Sequence, residues 1–286
     1  WTPHQTQDLT FRLLGCRFTQ QSKTVPLGQY TVTNLSDVMA LAGVERPAAG
    51  NSLSGELIRA LQAEFDRLMQ DRSKRVVVLC GSGSRIFCAG HDLAEFQQHE
   101  DPAFHEGLSR ECSAMMQTIR RLPQIVIARV DGIATAAGCQ LVAAADLALA
   151  SDRSRFATPG VNIGFWCWTP MVPISRSIAP KHALRMLATG EMLGAQTAVD
   201  IGLVNEIHPA EALDAAIDRL ADLIASKSGH SLASGKAGFW TQLELTEAEA
   251  YDYVCGEVRE NIAHPDAKEG IQAFLEKRPP VWSNPA

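Results

Sequence analysis

Apolar residues recur at two different intervals along this chain, and each interval predicts a different element. Between Ser52 and Met69 they fall at Leu53, Leu57, Leu61, Phe65 and Leu68, the spacing of one helical face. Ser52 and Ser54 stand near the N-cap of that helix. Arg75 to Cys80, Ile125 to Val130 and Leu147 to Ala150 are short apolar runs that read as strands, and Asp37 to Val44 reads as a strand entering the Arg46-Pro47 turn. Helical patterns lie between them, from about Phe104 to Arg121 and from Ala137 to Ala145. Strands alternating with helices predict an α/β fold with parallel pairing. From Pro170 onward the pattern is nearly all helical: 179–189, 195–201, 210–226, 231–240, 246–263 and 266–275, with Val204 to Ile207 as the one late strand.

Composition narrows the function classes. The chain has 286 residues, 46% of them hydrophobic, and a formal charge of −6. That is enough to bury one large core, and neither the charge nor any basic run suggests a nucleic-acid partner. No apolar stretch reaches the length of a membrane span. Seven cysteines, an odd number with no Cys-x-x-Cys pair, fit buried free thiols better than a disulfide framework or a metal site. Residues 1–30 carry Asp8 against Arg12, Arg17 and Lys23; a transit-peptide remnant, an upstream extension and an extra strand all stay open.

Two segments concentrate small residues where the chain turns from strand to helix: Phe87-Cys88-Ala89-Gly90-His91-Asp92-Leu93, and Asp131-Gly132-Ile133-Ala134-Thr135-Ala136-Ala137-Gly138-Cys139-Gln140-Leu141. Gly and Ala let a ligand approach the backbone and leave peptide N–H groups free to point at it. Two such groups aimed at one point stabilise an oxyanion.

At these residues the sequence resembles the crotonase, or enoyl-CoA hydratase/isomerase, superfamily. Ordered matches run from about Val38 to Trp282 and include Glu45-Arg46-Pro47, Phe156-Ala157-Thr158-Pro159, Thr189-Gly190-Glu191, Gly202-Leu203-Val204-Asn205 and the tail Gly270 to Arg278. The resemblance implies a spiral of ββα units with a C-terminal helical trimerisation region: an extension over 1–30, an acyl-CoA-binding core over 31–205 and a helical region over 206–286. It implies a homotrimer or dimer of trimers, an acyl-CoA substrate whose coenzyme A is part of the substrate, and no separate cofactor or metal. The compartment would be the cytoplasm in a bacterium and the mitochondrial matrix in a eukaryote.

By the same resemblance, the N–H groups of His91 and Ala137 form the oxyanion hole. Ala89, Asp92, Leu93 and Ala94 line the path of pantetheine and adenine. Asp92 can equally cap the following helix. Hydratases of the superfamily hold a water between two Glu residues, and those positions are Gln140 and Gly160 here. Gln can orient water but cannot move a proton at neutral pH, and Gly160 has no side chain. A further catalytic Asp of some members falls at Trp168. Decarboxylation of a malonyl-type thioester needs the hole but no base, and Ala89-Gly90-His91-Asp92 also resembles the superfamily's methylmalonyl-CoA decarboxylases. Their tyrosine falls at Cys167, which weakens that analogy. Binding without catalysis is the third reading. His91 can titrate near neutrality, donate to a substrate carboxylate, or only shape the hole. Trp166 and Trp168 read as pocket wall, with Cys167 packed between them. Lys236 and Lys277 are candidates for the CoA phosphates against an ordinary solvated lysine.

Overall fold

The computed structural model describes residues 50–81 and 86–283, together with the backbone of Tyr30–Asn34. The expected strand at 37–44, the Arg46-Pro47 turn and nearly all of the N-terminal extension lie outside the described residues. Strands β1 (Tyr30–Asn34), β2 (Val76–Cys80), β4 (Ile125–Val130), β6 (Leu147–Ser151) and β9 (Glu206–His208) form one sheet in the order β1-β2-β4-β6-β9, parallel throughout. A second sheet runs β3 (Ile86–Cys88), β5 (Ile133–Thr135), β7 (Arg155–Ala157), β8 (Leu193–Gly194), parallel until its last, antiparallel pair. The chain places one strand in the large sheet, the next in the small sheet, and then a helix. This ββα turn recurs as β2-β3 with α2 (Leu93–Gln98) and α3 (Pro102–Arg121), then β4-β5 with α4 (Ala137–Ala144), then β6-β7 with α5 (Trp168–Ser177). It is the spiral that the resemblance implied.

Alternation along the strands splits the core. Val77, Leu79, Val126 and Ala128 face one side, against α1 (Gly55–Gln70), α3 and α4. Val76, Val78, Ile127 and Leu149 face the other, covered by Leu213, Ile217 and Ala221 of α8 (Leu213–Ala225). Helix α1 begins as its sequence requires: the Ser54 side chain accepts from the N–H of Leu57, and Leu57, Leu61, Phe65 and Leu68 are buried. No described helix is long and apolar enough to cross a membrane.

Helices α6 (Pro180–Thr189) and α7 (Ala195–Asp200) lead into β9, and α9 (Gly229–Gln242), α10 (Glu247–Ala263) and α11 (Pro265–Leu275) complete the chain. Lys236 overturns both of its readings. It is neither a phosphate ligand nor a solvated lysine, because its side chain is 2% exposed and its Nζ lies 2.6 Å from Asp146 Oδ2. It also donates to the carbonyls of Ile119 (3.0 Å) and Gln124 (2.8 Å). Asp146 further accepts from Val126 N–H at 2.7 Å and Trp240 Nε1 at 3.1 Å. This buried pair pins α9 to α3 and β4. Burial pushes the Lys236 ammonium below its usual pKa, against the pull of Asp146. Lys277 is exposed. The tail folds back through a two-pronged Arg278–Glu269 pair and through Trp282 Nε1, which donates to the Ser226 carbonyl.

Candidate functional site

Strands β3 and β5 pair in parallel, so the small-residue turns that follow them lie side by side. The packing there admits almost nothing larger. Gly90 has φ +101, and a Cβ on it would stand 2.9 Å from Ala136 Cβ and 3.4 Å from Ala137 N. A Cβ on Gly138 would stand 2.1 Å from the carbonyl oxygen of Cys88. The Thr135 hydroxyl ties the turns together by donating to Ala89 O at 2.9 Å. Gly138→Ala is therefore expected to force β3 and α4 apart, at a cost of about 1–3 kcal/mol in urea unfolding. Gly107→Ala, on α3 with open space around it, is the control and should stabilise slightly.

Leu53 donates to Gly90 O at 2.7 Å and accepts from Asp92 N at 3.0 Å. These bonds flank His91, so the His91 N–H points away from Leu53. Ala137 is the first residue of α4, where N–H groups have no intrahelical partner. Among the described residues, neither the His91 nor the Ala137 N–H donates to any group. Ala136, which precedes α4, has φ 49 and ψ −114 and offers no side-chain cap. That conformation costs a non-glycine residue about 1–3 kcal/mol and persists only where its surroundings impose it. The Ala136 N–H bond to Ala157 O, 2.9 Å, is one such constraint. The positive end of the α4 dipole reinforces the Ala137 N–H as an anion donor.

The His91 ring lies 5.6 Å from the Phe96 ring, and its Nδ1 is buried without a hydrogen-bond partner. Burial pushes the imidazole below its usual pKa, opposed weakly by the Leu53 backbone. Burial thus disfavours the charged imidazole. Asp92 caps α2: its Oδ1 accepts from Ala94 N at 2.9 Å and Glu95 N at 3.4 Å. Ala89, Leu93 and Ala94 face solvent beside His91.

Gln140 sits one turn along α4 from Ala137 and is 2% exposed. Its Oε1 accepts from Thr169 Oγ1 at 3.2 Å. Gly160 lies in a tight turn, Pro159–Ile163, and its carbonyl accepts from Phe165 N at 2.9 Å. A Cβ on Gly160 would stand 2.1 Å from Phe165 O and 3.0 Å from Cys167 Sγ. The 165–169 segment thus touches both Gln140 and Gly160. Burial raises the Cys167 thiol and pushes the Cys88 thiol up to about 12, so neither is poised as a thiolate. Trp166 is half-buried, whereas Trp168 is 61% exposed at the start of α5, their rings 6.3 Å apart. Thr169 and the aromatic contact of Phe96 with Phe165, 6.4 Å between centroids, carry no sequence signal; only the fold brings them here.

The family model for enoyl-CoA hydratase/isomerase matches residues 36–285. A mouse (Mus musculus) relative, "Enoyl-CoA hydratase domain-containing protein 3, mitochondrial", is 37% identical over 95% of this chain and 92% of its own length. A solved enoyl-CoA hydratase from Mycobacterium smegmatis is 44% identical, covering 84% of this chain and 93% of that one, with a TM-score of 0.81. The solved human enoyl-CoA hydratase domain-containing protein 3 is 41% identical over 84% of this chain and 94% of its own, with a TM-score of 0.80. A fold of ββα turns, a pair of glycine-bound turns at its centre and these matches across most of the length agree: the chain belongs to the enoyl-CoA hydratase/isomerase family.

Proposed function

We propose that the protein binds an acyl-CoA with its thioester oxygen between the N–H groups of His91 and Ala137, and stabilises the enolate formed there without two-carboxylate water chemistry. The observation that carries this reading is the pair of undonated N–H groups on adjacent turns, one at a helix N-terminus. Ala89, Leu93 and Ala94 would flank the coenzyme arm, which enters as part of the substrate, with Asp92 holding α2 in place. Trp166 and Trp168 would wall the acyl side. Ala137→Pro would delete one donor, but a residue before proline is driven to extended backbone, which Ala136 at φ 49 and ψ −114 does not have. The cleaner test changes the ligand. Butyryl-CoA should bind roughly five- to a hundredfold more tightly than S-butyl-CoA, a thioether lacking the carbonyl, since two hydrogen bonds to a neutral carbonyl oxygen are together worth about 1–3 kcal/mol. Equal affinities by calorimetry would overturn the assignment.

Among reaction classes, decarboxylation of a malonyl-type thioester fits this geometry with the fewest parts. The electron pair left by departing carbon dioxide becomes the enolate, so no base is needed where Gln140 and Gly160 stand. Mass spectrometry of reactions with methylmalonyl-CoA, crotonyl-CoA and longer enoyl-CoAs separates this from hydration, and affinity without any turnover would mark a binding protein. We propose a trimer or dimer of trimers, supported by apolar residues left bare on the last helices: Tyr251, Val258, Phe274 and Leu275 are 65–82% exposed, and apolar surface of this kind marks interaction sites where it is contiguous. Sedimentation at micromolar concentration should show no monomer; a stable monomer would reject it. The mouse and human relatives are named mitochondrial, and that is the compartment proposed for a eukaryotic source.

A further inference from the structure

We propose that His230 and His264 form a pH-sensitive latch. It holds the start of α11 and the C-terminal tail against α9 while both rings are neutral, and loosens them when acid charges the pair.

The latch is a set of joints that meet at one carboxylate. The imidazoles of His230, in the first turn of α9, and His264, between α10 and α11, stack face to face, 3.6 Å between centroids and 2° from parallel. His264 caps α11, its Nδ1 accepting from the Asp266 N–H at 3.1 Å. An accepting nitrogen carries no proton, so His264 holds its proton on Nε2 in this arrangement. The Asp266 carboxylate, 2% exposed, accepts from Ser228 Oγ at 2.5 Å, the side chain that caps α9. It also accepts from Ser283 N (2.7 Å) and Ser283 Oγ (2.5 Å) in the tail.

Charge acts on these joints together. A proton on His264 Nδ1 turns the capping acceptor into a donor that faces the Asp266 N–H. Two imidazolium rings at stacking distance repel. Both histidines also stand at helix N-termini, where the dipole disfavours a cation. The charged groups facing the pair are Asp266 on α11 and Arg75 ahead of β2, whose Nε stands 3.3 Å from where a Cβ on Gly229 would be. Burial, and then His264, push the His230 imidazole below its usual pKa, against the pull of Asp266. The stabilising contribution is therefore present above the ordinary value near 6.5. It is lost as pH falls from there toward the lowered folded value, because the unfolded chain takes up the proton first.

Hydrogen exchange of the full chain, corrected for intrinsic rates, tests this at about pH 7.5 and about pH 5.5, on either side of the ordinary histidine value. In acid, α11 and residues 276–283 should lose protection by roughly two- to thirtyfold, the worth of one helix cap, while α1 keeps its own. His264→Asn supplies a cap that does not titrate, and His230→Phe supplies a ring that stacks without titrating. Each should keep the neutral-pH protection and lose the acid response. Long-range proton–nitrogen spectra of histidine-labelled wild type at neutral pH should show His264 protonated on Nε2 alone. A wild-type α11 that responds no more than α1, an acid response that survives either variant, or a proton on His264 Nδ1 overturns the inference.

Discussion

Crotonyl-CoA should be hydrated by the wild-type protein at least about 10⁴-fold more slowly than an ordinary enzyme turns over its substrate. Each missing proton-transfer group is worth on the order of 10²–10⁴ in rate, and on the proposed reading two are missing, at Gln140 and Gly160. Against a typical turnover of about 10 s⁻¹, that leaves about 10⁻³ s⁻¹ or less, followed as loss of the enoyl absorbance. The remaining rate should also be flat with pH above about 6.5. Gln140 does not titrate, and burial depresses the His91 pKa, so the imidazole is already neutral there and nothing in the site changes charge. A turnover within tenfold of the ordinary range, or a bell-shaped profile, would show that another group moves the proton.

Lys236→Met should cost about 3–5 kcal/mol of stability, because it leaves Asp146 charged and buried without its cation. With total stabilities of about 5–15 kcal/mol, urea unfolding should shift by a large fraction of its midpoint. Lys236→Met with Asp146→Asn should recover most of the loss: the amide oxygen can still accept from Val126 N–H or Trp240 Nε1, and no unpaired charge remains. The pH dependence has a definite sign. The folded pKa of Lys236 is lowered, so between that value and the ordinary lysine value near 10.4 the unfolded chain holds a proton that the folded chain has released. Wild-type stability should rise with pH through that window, and the Met variant should lack the rise. A Lys236→Met protein as stable as wild type would show that α9 is held by its apolar contacts alone.

The large sheet and the long helices were legible in the sequence because burial patterns repeat there. Val76–Cys80 and Ile125–Val130 fall where apolar runs placed them, and α1 starts at the serine that can cap it. The small sheet was not legible. Its strands, such as Ile133–Thr135 and Arg155–Ala157, are three residues or fewer, too short to show a period of two. Helix α2 follows Asp92, where a capped helix was expected; α5 was missed because two prolines, Pro170 and Pro173, fall within it. At the site, glycine and alanine marked the turns, since close approach leaves no alternative. The Thr169–Gln140 bond and the Lys236–Asp146 pair join residues 29 and 90 positions apart, and no local pattern announces them.

The crowding around Gly160 bears on how this chain could change in an engineered lineage or a natural one. With Phe165 O 2.1 Å from where a Cβ would begin, Gly160→Glu is blocked before its carboxylate could matter, and so is the smallest step, Gly160→Ala. Hydration is therefore not two codon changes away. The peptide at Phe165 must be rerouted first, by substitutions that confer no advantage in themselves. Successful variants from a selection for hydratase activity should carry changes in the 161–167 loop before any carboxylate at 160, so the order of mutations records the shape of one turn.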